Sequence, residues 1–109
     1  MNNINTKSIF KLNKWGDFLG TRELGVEIRQ EIINILKINS SVTIDFEGIN
    51  MISHSFADEF VGKLVGELTS NIFKDKIRFS KVAPEIAPII RYVINSHLKP
   101  FPKKDRPIT

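Results

Sequence analysis

The hydrophobic and polar positions of the chain change period several times between residues 7 and 97. In Val42–Phe46 the side chains alternate, with Val42, Ile44 and Phe46 on one side and Thr43 and Asp45 on the other. Strict alternation is typical of a β-strand with one buried face. Lys76–Ser80 alternates in the same way, and Lys7–Leu12 also suits a short strand. Three strands are therefore predicted.

Between these strands the apolar residues recur at helical spacing. A first helix is predicted from the N-cap Thr21 to about Ile38, a second from about Phe56 to Thr69, and a third from the turn at Pro84 to about His97. The apolar stripe of the first helix comprises Leu24, Ile28, Ile32, Ile35 and Leu36. Outside it lie Arg22, Glu27, Arg29 and Lys37. Asn13–Gly20 and Glu47–His54 are interpreted as loops.

The order strand, helix, strand, helix, strand, helix predicts the fold class. Strands joined through helices pair in parallel, with right-handed crossovers. The alternation argues that only one face of the sheet is buried, because strands covered on both faces have continuous apolar runs. We therefore expect an α/β fold: a single two-layer domain with a small, mainly parallel sheet and three helices mostly on one face. The domain is predicted to span residues 1–98, and residues 99–109 to form a basic, proline-rich, flexible tail.

The start of the second helix carries the most distinctive residues. Ser55 followed by Asp58 has the spacing of a capping box, so Ser55 is predicted to be the N-cap. The polar side of the helix, opposite its apolar stripe, comprises Ser55, Asp58, Glu59, Gly62 and Gly66. Each glycine inside a helix costs about 1 kcal/mol relative to alanine. The pair indicates either a smooth surface that a partner approaches closely or a place where another part of this chain packs.

Composition narrows the function classes. The 109 residues include no cysteine, which excludes disulfides and cysteine-based chemistry and favours a reducing compartment. No apolar run follows the start, so neither a signal peptide nor a membrane span is expected, and a cytoplasmic location is predicted. Lys99–Thr109 carries four basic residues and one acidic residue, a charge of +3 out of the total of +4. Nucleic-acid binding through this tail is a third hypothesis, although a solvated terminus explains the charge more simply.

The sequence contains little that indicates a catalytic site or a metal site. Asp45, His54 and Ser55 do not have the spacing of a hydrolase triad, since neighbouring residues at a helix start point in different directions. His54 and His97 lie in separate elements, and His54 with Asp58 is only a weak metal pair. No phosphate-binding loop or dinucleotide fingerprint is present, so no cofactor is expected. The alternative hypothesis is a nucleotide- or anion-binding domain or enzyme that uses Gly20, Thr21 and Arg22 with the helix start at Ser55.

Two segments resemble a known family. Ile44-Asp45-Phe46 with Ser53-His54-Ser55-Phe56-Ala57-Asp58-Glu59-Phe60 is similar to the STAS-like domains of unknown function, and Gly20-Thr21-Arg22-Glu23-Leu24-Gly25 with Ile28-Arg29 looks like the same pattern. The related STAS antagonists of anti-sigma factors bind a GHKL-type ATPase kinase and are phosphorylated on a serine at the start of the helix after a central strand. By position, the resemblance implies Ser55. Those antagonists usually place an acidic residue where Ser53 stands and glycine where Phe56 stands.

The resemblance thus implies a non-catalytic, regulatory protein-interaction module. The expected partner is a GHKL-type ATPase or kinase. Ser55 is the first phosphorylation candidate and Ser53 the second. The predicted contact surface comprises Ser53, His54, Ser55, Asp58, Glu59, Gly62 and Gly66.

Overall fold

The computed structural model describes residues 6–98, and the proposed tail lies outside them. Its main sheet contains three parallel strands, Lys7–Lys11 (β1), Ser41–Asp45 (β3) and Ile77–Ser80 (β5), in the order β1-β3-β5. A second, two-stranded parallel sheet pairs Phe18–Leu19 (β2) with Met51–Ile52 (β4). The three main strands agree with the sequence prediction to within one residue at each end.

Four longer helices and one 3-10 turn, Asn13–Trp15, occur in residues 6–98. Helix α1 is Arg22–Leu36, and helix α3 is Ser70–Lys76. Helix α2 runs through residues 54–68 and has three parts, namely His54–Ala57, a π-helical stretch Asp58–Gly62, and Lys63–Leu68. Helix α4 is Ala87–Leu98, preceded by a turn in which the Ala83 carbonyl accepts the N–H groups of Ile86 and Ala87. The predicted N-cap of α1 is confirmed, because the Thr21 hydroxyl accepts the Leu24 N–H at 3.1 Å.

The main sheet has one covered and one exposed face, as alternation requires. Phe10, Ile44 and Ile77 are buried against the helices. Lys7, Ile9, Lys11 and Arg78, on the other face, are exposed. Successive right-handed crossovers place their helices on the same side of a sheet. The buried apolar side chains form one cluster that extends along the chain from Phe10 to Val93. The two-layer α/β fold is confirmed.

The two strands of the small sheet lie within the two segments that the sequence analysis interprets as loops. Phe18 pairs with Met51 and Leu19 with Ile52; Leu19 and Ile52 are buried, whereas Phe18 and Met51 are exposed. Two-residue strands are too short for alternation to distinguish them from irregular chain. The sheet leads directly into α1 and α2, and so brings the starts of these helices together.

Helix α3 was not predicted. Thr69 ends α2 with φ at +69°, and a new helix begins at the next residue. Positive φ is rare for a β-branched residue, and the local sequence contains no signal that predicts it.

None of the helices in the described part of the chain is long and apolar enough to cross a membrane.

Candidate functional site

The start of α2 is held by Ser53. Its hydroxyl accepts the Phe56 N–H at 3.0 Å and lies 2.8 Å from the Gly20 carbonyl, to which it donates. The Ser53 N–H bonds to the Leu19 carbonyl at 3.1 Å, continuing the β2–β4 pairing. The predicted capping box of Ser55 and Asp58 is therefore wrong. The hydroxyl two residues earlier is the cap because the helix already begins at His54.

Ser55 lies in the first turn of α2 and is half-buried. The neighbouring His54 is exposed, and its ring meets the edge of Tyr92 in α4, with ring centroids 6.1 Å apart and planes at 80°. No hydrogen bond joins Ser55 to either histidine within residues 6–98.

Asp45, at the end of β3, accepts the Glu47 N–H at 2.8 Å and pairs with Lys11 at 3.4 Å. These partners lower the pKa of Asp45 against the opposing effect of burial.

Exposed apolar side chains lie on the elements that meet at this helix start. Phe18 is 58% exposed, Met51 44% and Tyr92 64%. Phe18 and Met51 are register partners on the outward side of the small sheet, and Tyr92 reaches the site through His54. We call Phe18, Met51, His54, Ser55 and Tyr92 together the α2-start surface. Its apolar members belong to β2, β4 and α4, and exposed apolar groups of this kind often mark a binding site.

Glu59 was predicted to lie on the outward side of α2, but it is buried. Its carboxylate lies 3.4 Å from both Arg29 and Lys63 and 3.3 Å from Arg22. Burial by itself raises the pKa of Glu59, but the hydrogen bond from Arg29 and the charge of Lys63 outweigh it, so the net shift is downward. A buried carboxylate with these partners fastens α1 to α2 and is not available to a partner.

Arg29 is a neighbour of this site that the helical pattern does not identify. The pattern puts it outside the apolar stripe of α1, yet it is buried. Its guanidinium donates both to the carboxylate and to the main-chain carbonyl of Glu59, inside the π-helical stretch. A π-helical turn is rare and often lies at a functional site. At Gly25, one turn before Arg29, the helices approach so closely that a Cβ atom would lie 3.1 Å from the Phe56 carbonyl oxygen.

The two glycines of α2 have different surroundings. Gly62 is buried beneath His97 of α4, and a Cβ atom there would lie 2.6 Å from the imidazole ring. Gly66 is exposed, with nothing within 4 Å of such an atom. Of the two interpretations left open by the sequence, packing within the chain holds for Gly62. It is therefore not part of an outward contact surface in this structure.

Asp58 pairs with His97 and not with His54. The His97 Nε2 lies 2.9 Å from Asp58 Oδ1, and Arg22 lies 3.7 Å from the other carboxylate oxygen. The hydrogen bond with His97 is the largest cause of a lowered Asp58 pKa, and the charge of Arg22 adds to it. The pair joins residues 39 positions apart, which no local pattern could have indicated.

The proposed anion-binding loop is partly occupied by its own chain. Arg22 faces the carboxylates of Asp58 and Glu59, so its charge already has partners. A Cβ atom at Gly20 would lie 2.8 Å from the ring of Phe18, so the aromatic ring covers this part of the loop. In the described residues, no group of three or more His, Asp or Glu side chains is arranged to hold a metal ion.

Comparison with known proteins gives one match. The family model described as a STAS-like domain of unknown function (DUF4325) matches residues 24–87. The matched segment includes most of α1, all of α2 and the main strands β3 and β5. No curated protein and no solved structure matches.

Proposed function

Because the chain belongs to the STAS-like domain family, we propose that it is a non-catalytic module that binds a GHKL-type ATPase or kinase through the α2-start surface. Ser55 is the residue whose phosphorylation would switch that binding, with Ser53 as the second candidate. In the related STAS antagonists of anti-sigma factors the phosphorylated serine lies at the start of a helix after a central strand, and α2 follows β3 and β4 in this chain.

The observation that carries the proposal is the exposure of Phe18, Met51 and Tyr92 on the elements that meet at the start of α2. Apolar and aromatic side chains at a protein interface provide most of its binding free energy, and a few of them dominate. Ser55 follows His54, which contacts Tyr92, and lies three residues after the end of β4, so a phosphate on it would add charge to this surface. A phosphate adds nearly two negative charges, whereas the carboxylates of Asp58 and Glu59 in the next turn are already paired with basic side chains. The surface would gain its negative charge at Ser55.

Ser53 suits this role less well than Ser55. Its hydroxyl is engaged with both the Phe56 N–H and the Gly20 carbonyl. A kinase would have to break both bonds and uncap α2 before transfer. Within residues 6–98 the Ser55 hydroxyl makes no hydrogen bond that caps the helix, so Ser55 can be modified while the helix remains folded.

The test uses the purified protein and a GHKL-type ATPase encoded beside its gene, with affinity measured by calorimetry. Phe18→Ser and Met51→Ser should each weaken binding at least tenfold, which corresponds to about 1.4 kcal/mol. Ile38→Ser is the matched control, because Ile38 is also exposed but lies after the opposite end of α1. Equal losses in all three variants would reject the α2-start surface as the interface.

A second measurement addresses the switch. After incubation with the ATPase and ATP, mass spectrometry should locate phosphate on Ser55 and not on Ser53. Ser55→Asp should alter the affinity, and Ser55→Ala should abolish the modification while the protein still binds. Phosphate on Ser53 alone would transfer the role to the capping residue, and no phosphate with unaltered binding by both variants would leave Ser55 without a switching role.

A further inference from the structure

The last turn of α4 closes over the polar side of α2. The imidazole of His97 occupies the space above Gly62, and its Nε2 bonds to Asp58 at 2.9 Å. Any side chain at position 62 would have to displace the ring, since a Cβ atom would come within 2.6 Å of it. The glycine, the histidine and the aspartate therefore form one contact, which we call the clasp.

The clasp lies outside the anchor of α4. Ile90 and Val93 bury that helix in the core, whereas the side chains of His97 and Asp58 remain 29% and 40% exposed. Leu98, in the same turn, is also only partly buried against the core, and partly exposed contacts open more readily than a core residue leaves its packing. The final turn of α4 is therefore expected to leave α2 while the rest of the helix stays in place.

On α2, the clasp acts at the point where the π-helical stretch begins. Asp58 is the first residue of that stretch and lies one turn after Ser55. From the opposite side, Arg29 donates to the Glu59 carbonyl within the same stretch. The irregular turn is thus held by α1 on one side and by α4 on the other. Releasing one of these supports should loosen the helix on both sides of the turn.

We propose that the clasp is a conformational device that stabilises the first turns of α2, and with them Ser55, when His97 is seated on Gly62 and Asp58. Opening it frees the end of α4 and loosens residues 55–58 together. This inference rests on the proposed function only for its consequence, namely that the clasp regulates how rigidly Ser55 is presented to a kinase. The structural coupling can be tested on the full chain without any partner.

Amide hydrogen exchange of the free protein measures the coupling. Gly62→Ala and His97→Ala should each accelerate exchange at least threefold both in residues 55–58 and in residues 96–98. Gly66→Ala is the matched control, being the same substitution one turn later with open space around it. It should leave both segments unchanged or slower.

The double variant separates the clasp from the helix itself. In the His97→Ala background, Gly62→Ala should cause no further acceleration, because the ring it would displace is already absent. Further acceleration there would assign the effect to the π-helical stretch alone and overturn the proposal, as would acceleration confined to residues 96–98. If the ATPase fails to bind the wild-type chain, the proposed function fails, but these exchange results still decide the clasp.

Discussion

Ser53 and Ser55 differ at the scale of single residues. Ser53 makes two hydrogen bonds that hold the start of α2, whereas Ser55 is half-buried in the first turn. Ser53→Ala should lower the free energy of unfolding by about 1–2 kcal/mol, through the lost cap and the lost bond to Gly20. Ser55→Ala should change it by less than about 0.5 kcal/mol. Urea denaturation of the two variants makes the comparison, and a larger loss for Ser55→Ala would contradict the assignment of the cap.

Asp58 provides a pH-dependent prediction. The hydrogen bond with His97, followed by the charges of Arg22 and Lys63, lowers the folded-state pKa of Asp58 below its ordinary value of 3.8, while burial opposes the shift. A lowered folded-state pKa contributes stability that is present above the unfolded pKa and is lost as the pH falls through the folded one. The carboxyl carbon of Asp58, followed by NMR, should therefore titrate below 3.8 in the wild type.

The control for this titration is His97→Ala. Removing the largest cause should raise the Asp58 midpoint toward its ordinary value, although Arg22 and Lys63 still face the carboxyl group and Glu59 follows it in sequence. An unchanged midpoint in this variant would show that the contact with His97 does not set the titration.

At the scale of elements, the sequence predicted what depends on local periodicity. The three main strands and the start of α1 were predicted well because alternation, helical spacing and the Thr21 cap are local signals. The small sheet, α3 and the Ser53 cap were missed. Two-residue strands have no period to detect, and α3 depends on a positive φ at Thr69. Ser53 and Ser55 are two positions apart, and the local sequence does not distinguish which of them is the N-cap. A tertiary contact, the hydrogen bond from Ser53 to the Gly20 carbonyl, selects Ser53.

The crossing of α1 and α2 leads to the third prediction. At Gly25 a Cβ atom would lie 3.0 Å from Glu59 Cβ and 3.2 Å from the Phe60 nitrogen. These atoms belong to a packed helix and cannot swing aside, so Gly25→Ala should separate the helices and destabilise the fold by about 1–3 kcal/mol. Gly66→Ala, in open space, should stabilise it by up to about 1 kcal/mol. Opposite shifts of the two unfolding midpoints are expected, and stabilisation by both substitutions would show that the crossing is loose.

The scale of the whole molecule explains why the candidate site was only partly predictable. Sequence resemblance indicated the segment from Ser53 to Phe60, but the side chains that complete the site come from distant positions. Arg29 lies 30 residues from Glu59, and His97 lies 39 from Asp58. These contacts bury Glu59 and cover Gly62, which is why the outward surface expected from the helical pattern is reduced to its first turn and Gly66. A single sequence contains no signal for such long-range pairs.

The last prediction concerns the end of the chain. The buried apolar side chains of the described residues end at Val93, and His97 and Leu98 make the final contacts with the rest of the fold. Residues 99–109 hold three prolines and five charged side chains, which suit neither a helix interior nor a central strand, so deleting them should leave Tm within about 2 °C of the full chain. Deleting residues 97–109 also removes the clasp and the packing of Leu98. Since a loss of about 1 kcal/mol shifts Tm by about 4–8 °C in a domain of this size, this longer deletion should lower Tm by several degrees.

The shorter deletion also tests nucleic-acid binding, because it removes +3 of the total charge of +4. A protein that binds DNA or RNA through phosphate contacts loses affinity steeply as salt is raised. Most of the net positive charge lies in residues 99–109 and not on a folded face. We therefore expect that the full chain does not bind a mixed-sequence duplex or single strand in a salt-sensitive manner, so that the deletion has no such binding to abolish. Such binding, if observed, would establish residues 99–109 as a nucleic-acid contact beside the protein-binding surface on α2. In the Tm comparison of the two deletions, an equal drop for both would show that residues after Leu98 stabilise the fold.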